Sequence, residues 1–299
     1  MMVIRPKKEL VLSLIEQMAP QYLEMFRDVQ KPGGWRTLAE RFGEIRKRLK
    51  LDSYVTLYGN ETWVYNALWM ALLGVEGVKR TSEELNAASS EEQQGFLDEL
   101  TADVTQDNGW LDEMFPDSVE KQEEQRLAFE ALPEDERAQV VQRGQHLFAF
   151  VMASFYDCIS VMVHGEKLTS LVPKAIGGDR NAFLKAIHID KSILHAHPEF
   201  KNQYEQALSN QDRDFLRNIG YRIEASPTRG KIRFPGVYMI FALLESLRWL
   251  NDFRHEEILD LCVDAGLDRW QNRIEDVTYL TKRLGEYRRM QKAGGLSMP

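Results

Sequence analysis

Residues 147–163 read LFAFVMASFYDCISVMV, and fourteen of these seventeen are apolar; only Ser154, Asp157 and Ser160 interrupt the run. A helix that is apolar all round has no face to turn to water, so it must be surrounded by protein or by lipid. The run continues a helix start further upstream. Pro133 stands where a missing N–H costs nothing, and Glu134, Asp135 and Glu136 follow at the positive end of the helix dipole. The sequence therefore predicts one long helix over 133–164, around which the rest of the chain has to pack.

Lipid and protein are separable as surroundings. Seventeen residues lie at the lower limit for crossing a bilayer. Asp157 falls near the middle of the run, where a charge costs roughly 3 kcal/mol on insertion scales. The flanks, Arg143 and His146 before and Glu166 and Lys167 after, carry no topological bias. The reading is a core helix, with no membrane partner. The opening MMVIRPKKELVL is basic but leads into no apolar stretch of signal-peptide length. Cys158 and Cys262 each sit in an apolar helical pattern, as buried thiols of a reducing compartment do. A cytoplasmic protein is expected.

Helical spacing dominates elsewhere. Val11, Leu14, Ile15, Met18, Tyr22, Met25 and Phe26 form one apolar stripe, which Pro20 is expected to break or kink. KPGG at 31–34 reads as a turn before the basic helix WRTLAERFGEIRKRLKL. DSYVTLYG at 52–59 has strand-like composition but nothing to pair with, and is taken as extended linker. Residues 105–118 are turn-rich and acidic. In the second half, Gly177–Gly178 ends one short helix, Asp179 caps the next, and Pro198 opens another. SPTRGKIRFPG (226–236) is the clearest loop, VYMIFALLESLRWLNDF the second most apolar helix, and KAGGLSMP a frayed tail.

The fold class expected is all-α, a multi-helix bundle or array of about ten to thirteen helices around the 133–164 helix. An acidic N-terminal region is placed at 1–131, the central helix shared by both cores at 132–165, and a C-terminal bundle at 166–299. Charge divides unevenly along the chain. Residues 1–165 hold 17 Lys and Arg against 28 Asp and Glu, a net of −11, whereas 166–299 hold 21 against 18, a net of +3. The acidic half repels nucleic acid; the second half tolerates it.

Signatures of chemistry are sparse. There is no GxGxxG, and Gly230–Lys231 is followed by Ile232 rather than Ser or Thr. No GxSxG and no CxxC occurs, and no histidine has Glu three positions before it, which argues against nucleophile-elbow, thiolate-zinc and di-iron sites. His188, Asp190, His195 and His197 in HIDKSILHAH are the nearest to a metal set, but they are read as surface or capping histidines near a helix end; no metal and no cofactor is assigned. Asp157 is the buried polar candidate. An acid in an apolar helix has its pKa raised unless paired, and Arg180, Arg248 or a helix terminus are the structural partners considered, with His164 as its only catalytic one. The basic candidates for nucleic acid are Arg229, Lys231 and Arg233 on the loop, with Lys282, Arg283, Arg288 and Arg289 on the last helix. Trp63, Trp69, Trp249 and Trp270 are read as core rather than pocket.

Two functional expectations follow from different classes. The first is a non-catalytic binding or regulatory protein working through a protein partner or self-association. The second is a nucleic-acid-associated protein using the basic C-terminal surface. An enzyme built on Asp157 as a buried acid stands behind both.

Overall fold

In a computed structural model the long helix runs from Glu134 to His164, directly after Pro133 and with three acids in its first turn. The structure describes residues 6–48, 119–227, 234–267 and 276–295, the backbone of 231–232 and 297–298, and scattered residues between 67 and 98. The expectations for 52–59 and 105–118 lie outside them, as do Trp63 and Trp270. The fold is all-α.

In chain order the helices are α1 (Lys8–Gln30), α2 (Gly34–Arg48), α3 (Val119–Ala131), α4 (Glu134–His164), α5 (Leu168–Ile176) and α6 (Arg180–Ile189). After them come α7 (Ile193–Ala196), α8 (Pro198–Ser209), α9 (Arg213–Glu224), α10 (Pro235–Ser246), α11 (His255–Asp264) and α12 (Val277–Lys292). Two strands of two residues each, β1 (Lys231–Ile232) and β2 (Ser297–Met298), pair antiparallel.

Two compact units emerge, one within Met1–Gln17 and Tyr65–Phe150, the other within Met18–Val64 and Val151–Pro299. Their borders cut α1 and α4 internally, so that residues of the long helix belong to both units. Segments distant in sequence combine because each covers apolar surface that no neighbour along the chain can reach.

In the first unit Leu10, Val11, Leu14 and Ile15 of α1 are buried, as are Ala67, Leu68, Trp69 and Ala71 from the helical residues 67–73. By contrast α3 and the opening turns of α4 are exposed along most of their length, and Leu127, Val140 and Val141 stand in water. Arg126 holds α3 together locally by pairing with Glu123 and Glu130, one turn to either side.

In the second unit α4 is a core helix from Val151 to Met162. Its length and composition would suit a membrane span, but its apolar stretch is buried in protein. The three polar residues of the run each have a partner. Ser154 shares a hydrogen bond of 2.5 Å with the Tyr22 hydroxyl, which donates to the Val151 carbonyl at 2.8 Å, and Ser160 donates to the Glu166 carbonyl at 2.6 Å. Asp157 is treated below. Such pairing is what allows polar groups in so apolar a helix, since a buried group left unpaired costs about 1–3 kcal/mol. The second most apolar helix, α10, buries ten of its residues. Around these, α5 packs on α6, α6 on α9, and α12 on both α10 and α11.

Local rules account for most boundaries. Asp179 accepts from the Asn181 and Ala182 N–H groups to start α6, and Asp212 and Asp276 do likewise for α9 and α12. Pro198 opens α8, with the His197 ring accepting from the Glu199 N–H. Two expectations are corrected. Pro20 does not break α1: the helix runs on through it, with Pro20 and Glu16 both on the exposed side. The C-terminal tail is not frayed, because Ser297–Met298 pairs with Lys231–Ile232. Gly295, at φ +138°, lets the backbone come so close to α4 that a Cβ there would lie 2.2 Å from the Val163 carbonyl oxygen.

Candidate binding cleft

Asp157 is completely buried, and its carboxylate accepts from Thr169 twice, from the backbone N–H at 2.9 Å and from the hydroxyl at 2.8 Å. The expected arginine partners are elsewhere: Arg180 pairs with Asp212, and Arg248 caps the turn after α10 in a left-handed conformation. Thr169 lies in the first turn of α5, whose N-cap residue, Lys167, gives no side-chain cap. Asp157 therefore supplies from α4 the carboxylate that α5 lacks locally, and it sits at the positive end of that helix. Desolvation raises its pKa to about 6, against the lowering effect of the Thr169 hydrogen bonds. Burial likewise pushes both thiols, Cys158 and Cys262, well above the ordinary cysteine value. These reactive groups are spent inside the fold.

The histidines of HIDKSILHAH do not converge. His188 meets His164 instead, with its Nδ1 3.1 Å from the His164 Nε2. Asp190 accepts from the Ser192 N–H at 3.0 Å and from its hydroxyl at 2.5 Å, His195 is exposed, and His197 caps α8. Among the described residues no group of three or more His, Cys, Asp or Glu is placed to hold a metal. The pairing of His164 with His188 joins residues 24 apart, and no sequence spacing marks it.

Both imidazoles are kept neutral. Desolvation, then the neighbouring His188 and the cations Arg222 and Lys185, lower His164 to about 3. Desolvation and Arg222 lower His188 to about 4. The His188 Nε2 is buried and has no hydrogen-bond partner, an arrangement that costs about 1–3 kcal/mol. Its ring is 8% exposed and lines a cleft of about 660 Å³.

Four elements make the cleft: the first turns of α2 (Gly33, Trp35, Arg36, Ala39), Tyr156 of α4, the end of α6 through Lys191, and the end of α9 through Ser226. Its α2 wall is held by aromatic contacts. Phe42 packs edge-on against Phe155 and Tyr156 with ring centroids 6.4 and 5.7 Å apart, and Trp35 lies 5.9 Å from Tyr156. Arg46 adds a hydrogen bond to the Ser192 hydroxyl at 3.1 Å, linking α2 to the turn that Asp190 organises. The turn entering α2 admits only glycine at position 34, where a Cβ would stand 1.9 Å from the Asp28 carbonyl oxygen. Trp35 was not among the aromatics singled out from the sequence; its only signal was its place just after the KPGG turn, at a helix start.

Of the basic candidates on α12, one is withdrawn from the surface. Arg283 is buried, 4.0 Å above the Phe234 ring and 4.9 Å from that of Tyr279, and pairs with Glu286 at 2.5 Å, so it is corrected from a phosphate contact to a packing residue. Arg288 donates to Asn251 at 2.7 Å, while Lys282 and Arg289 are exposed. Arg229 and Arg233 fall outside the described residues, and Lys231 is described only as backbone in β1. Of the tryptophans, Trp69 is buried and Trp249 packs in the core against Phe253 at 6.0 Å.

Compared with known proteins, the chain matches no family model, no curated protein and no solved structure.

Proposed function

We propose that this is a non-catalytic binding protein that works through contact with another protein, and that the cleft beside α2 is where it grips its partner. The observation carrying this reading is the make-up of that cleft. A half-buried tryptophan and a buried tyrosine form its middle, and Arg36, Lys191 and Glu224 stand exposed around them. Aromatic residues at the centre of a polar rim are the composition of protein-binding hot spots. Its volume, about 660 Å³, suits an inserted side chain or short turn. Support also comes from what the reactive groups do instead: Asp157 caps a helix, and both cysteines are sealed.

A photo-crosslinking side chain at position 36, used in the protein's own cells, is expected to yield a discrete adduct with one protein. That protein, once purified, should bind the wild-type chain and lose at least about tenfold in affinity to Trp35→Ala. Tyr221→Ala, which alters a residue 65% exposed and outside the cleft lining, should bind like wild type. Equal affinity for Trp35→Ala and wild type would overturn the reading.

A further inference from the structure

The chemistry of the cleft narrows what part of a partner it receives. His188 is nine-tenths buried, its Nδ1 is taken by His164, and its Nε2 has nothing to bond to. Charge around it is unequal. Arg36 and Lys191 are exposed on the lining, and Arg222 and Lys185 act on the histidine pair from α9 and α6. Of the two acids on the lining, Asp190 is buried and engaged with Ser192, which leaves Glu224 exposed at the end of α9. The first turn of α2, with no acid in it, adds the positive end of a helix dipole. The carboxyl ends of α6 and α9 oppose it, with Lys191 and Arg222 beside them.

We infer that the cleft receives an acidic segment of the partner protein, whose Asp or Glu carboxylate accepts the N–H of His188 Nε2 while Arg36 and Lys191 balance its charge. This rests on the cleft being the partner-binding surface. In the tautomer that donates from Nε2, the His188 Nδ1 accepts from the His164 Nε2, which satisfies the 3.1 Å contact between the rings. The Nε2 is out of solvent's reach, so the wall carrying Trp35 must move outward to admit the carboxylate. Phe42 is the one buried side chain among the described residues of α2, and the rest of that helix's contacts with the core are made by half-buried or exposed groups.

A carboxylate against His188 favours the imidazolium form, so binding takes up a proton and strengthens as the pH falls. The charged and titratable groups around the histidine pair are His164 and Tyr156 from α4, Arg222 and Glu224 from α9, Lys185, Asp190 and Lys191 from α6 and the turn after it, and Arg36 from α2. Of these, only the two histidines titrate with their ordinary value near neutrality, and burial holds both low.

The test uses the full chain and three N-acetylated peptides of leucine alternating with glutamate, glutamine or lysine, in calorimetry and histidine nitrogen NMR. The glutamate peptide is expected to bind at least about tenfold more tightly than the other two. It should bind more tightly at about pH 5.5 than at about pH 7.5 and move the His188 nitrogen signals. His188→Gln should lose the pH dependence, and Arg36→Gln, on the exposed rim, should weaken binding without touching the core. Equal binding of the glutamine peptide, or preference for lysine, overturns the carboxylate while leaving the cleft as a protein-binding surface. If no peptide binds and the crosslinker at position 36 finds no partner, the cleft reading itself falls.

Discussion

Asp157 offers the sharpest test, because two opposite effects meet on one buried side chain. Its two hydrogen bonds to Thr169 favour the ion, and its complete burial disfavours it. Burial wins: the pKa stands at about 6, above the ordinary 3.8. The stability tied to the neutral form is therefore present in full below the ordinary carboxylate value and is lost as the pH rises through about 6. Asn keeps the shape and the bonding without the charge, its amide oxygen accepting from the Thr169 N–H and its amide nitrogen donating to the Thr169 hydroxyl. Linkage with these two pKa values gives a cost to the wild type on the order of 1–2 kcal/mol at about pH 5 and about 3 kcal/mol at about pH 8.

Asp157→Asn should therefore gain on the wild type by about 1 kcal/mol or somewhat more between those two conditions, read from paired urea melts followed by far-UV circular dichroism. Taking the difference cancels every other titrating group. Asp157→Leu, in contrast, strands both Thr169 donors and should lose about 2–5 kcal/mol at either pH. If Asp157→Asn loses ground to the wild type as the pH rises, the dipole of α5 outweighs desolvation, and the account of this residue is wrong.

The histidine pair works in the other direction. Its folded-state values, about 3 for His164 and about 4 for His188, lie below the ordinary 6.5, so stability is full above that value and drains as the pH falls below it. The loss should reach about 2 kcal/mol per histidine by about pH 5, and it should be steeper in Asp157→Asn, where the opposing acid is gone. A melt series showing no acid slope that His188→Gln removes would contradict the buried, neutral pair. Two glycines of α2 should part company. Gly34→Ala drives a Cβ into the Asp28 carbonyl and should destabilise by several kcal/mol, while Gly43→Ala meets nothing within 4 Å and should gain up to about 1 kcal/mol in thermal melts.

What the sequence makes legible here is whatever is decided within a turn or two of chain. The apolar run of α4, the Asp179 cap, the Pro198 start and the Gly177–Gly178 stop all follow from local bonding that the residue types themselves impose. Asp157 stands out as an anomaly in the sequence, but its partner does not, because Thr169 reaches it only once the chain has turned back at Gly165, at φ +71°. The cleft is less legible still. Its four walls come from residues between Gly33 and Ser226, and the contact that gives it chemistry, His164 with His188, has no periodicity to betray it. Arg283 misleads for the same reason: in sequence it is one of a run of cations, and only packing against Phe234, 49 positions earlier, removes it from the surface. Charge read along a chain therefore overstates what a folded surface offers, and a neutral residue such as His188 can matter more to recognition than the cations beside it. As proposed for this protein, a carboxylate-bearing partner is assigned not to the most basic segment, α12, but to a cleft lined by a neutral imidazole.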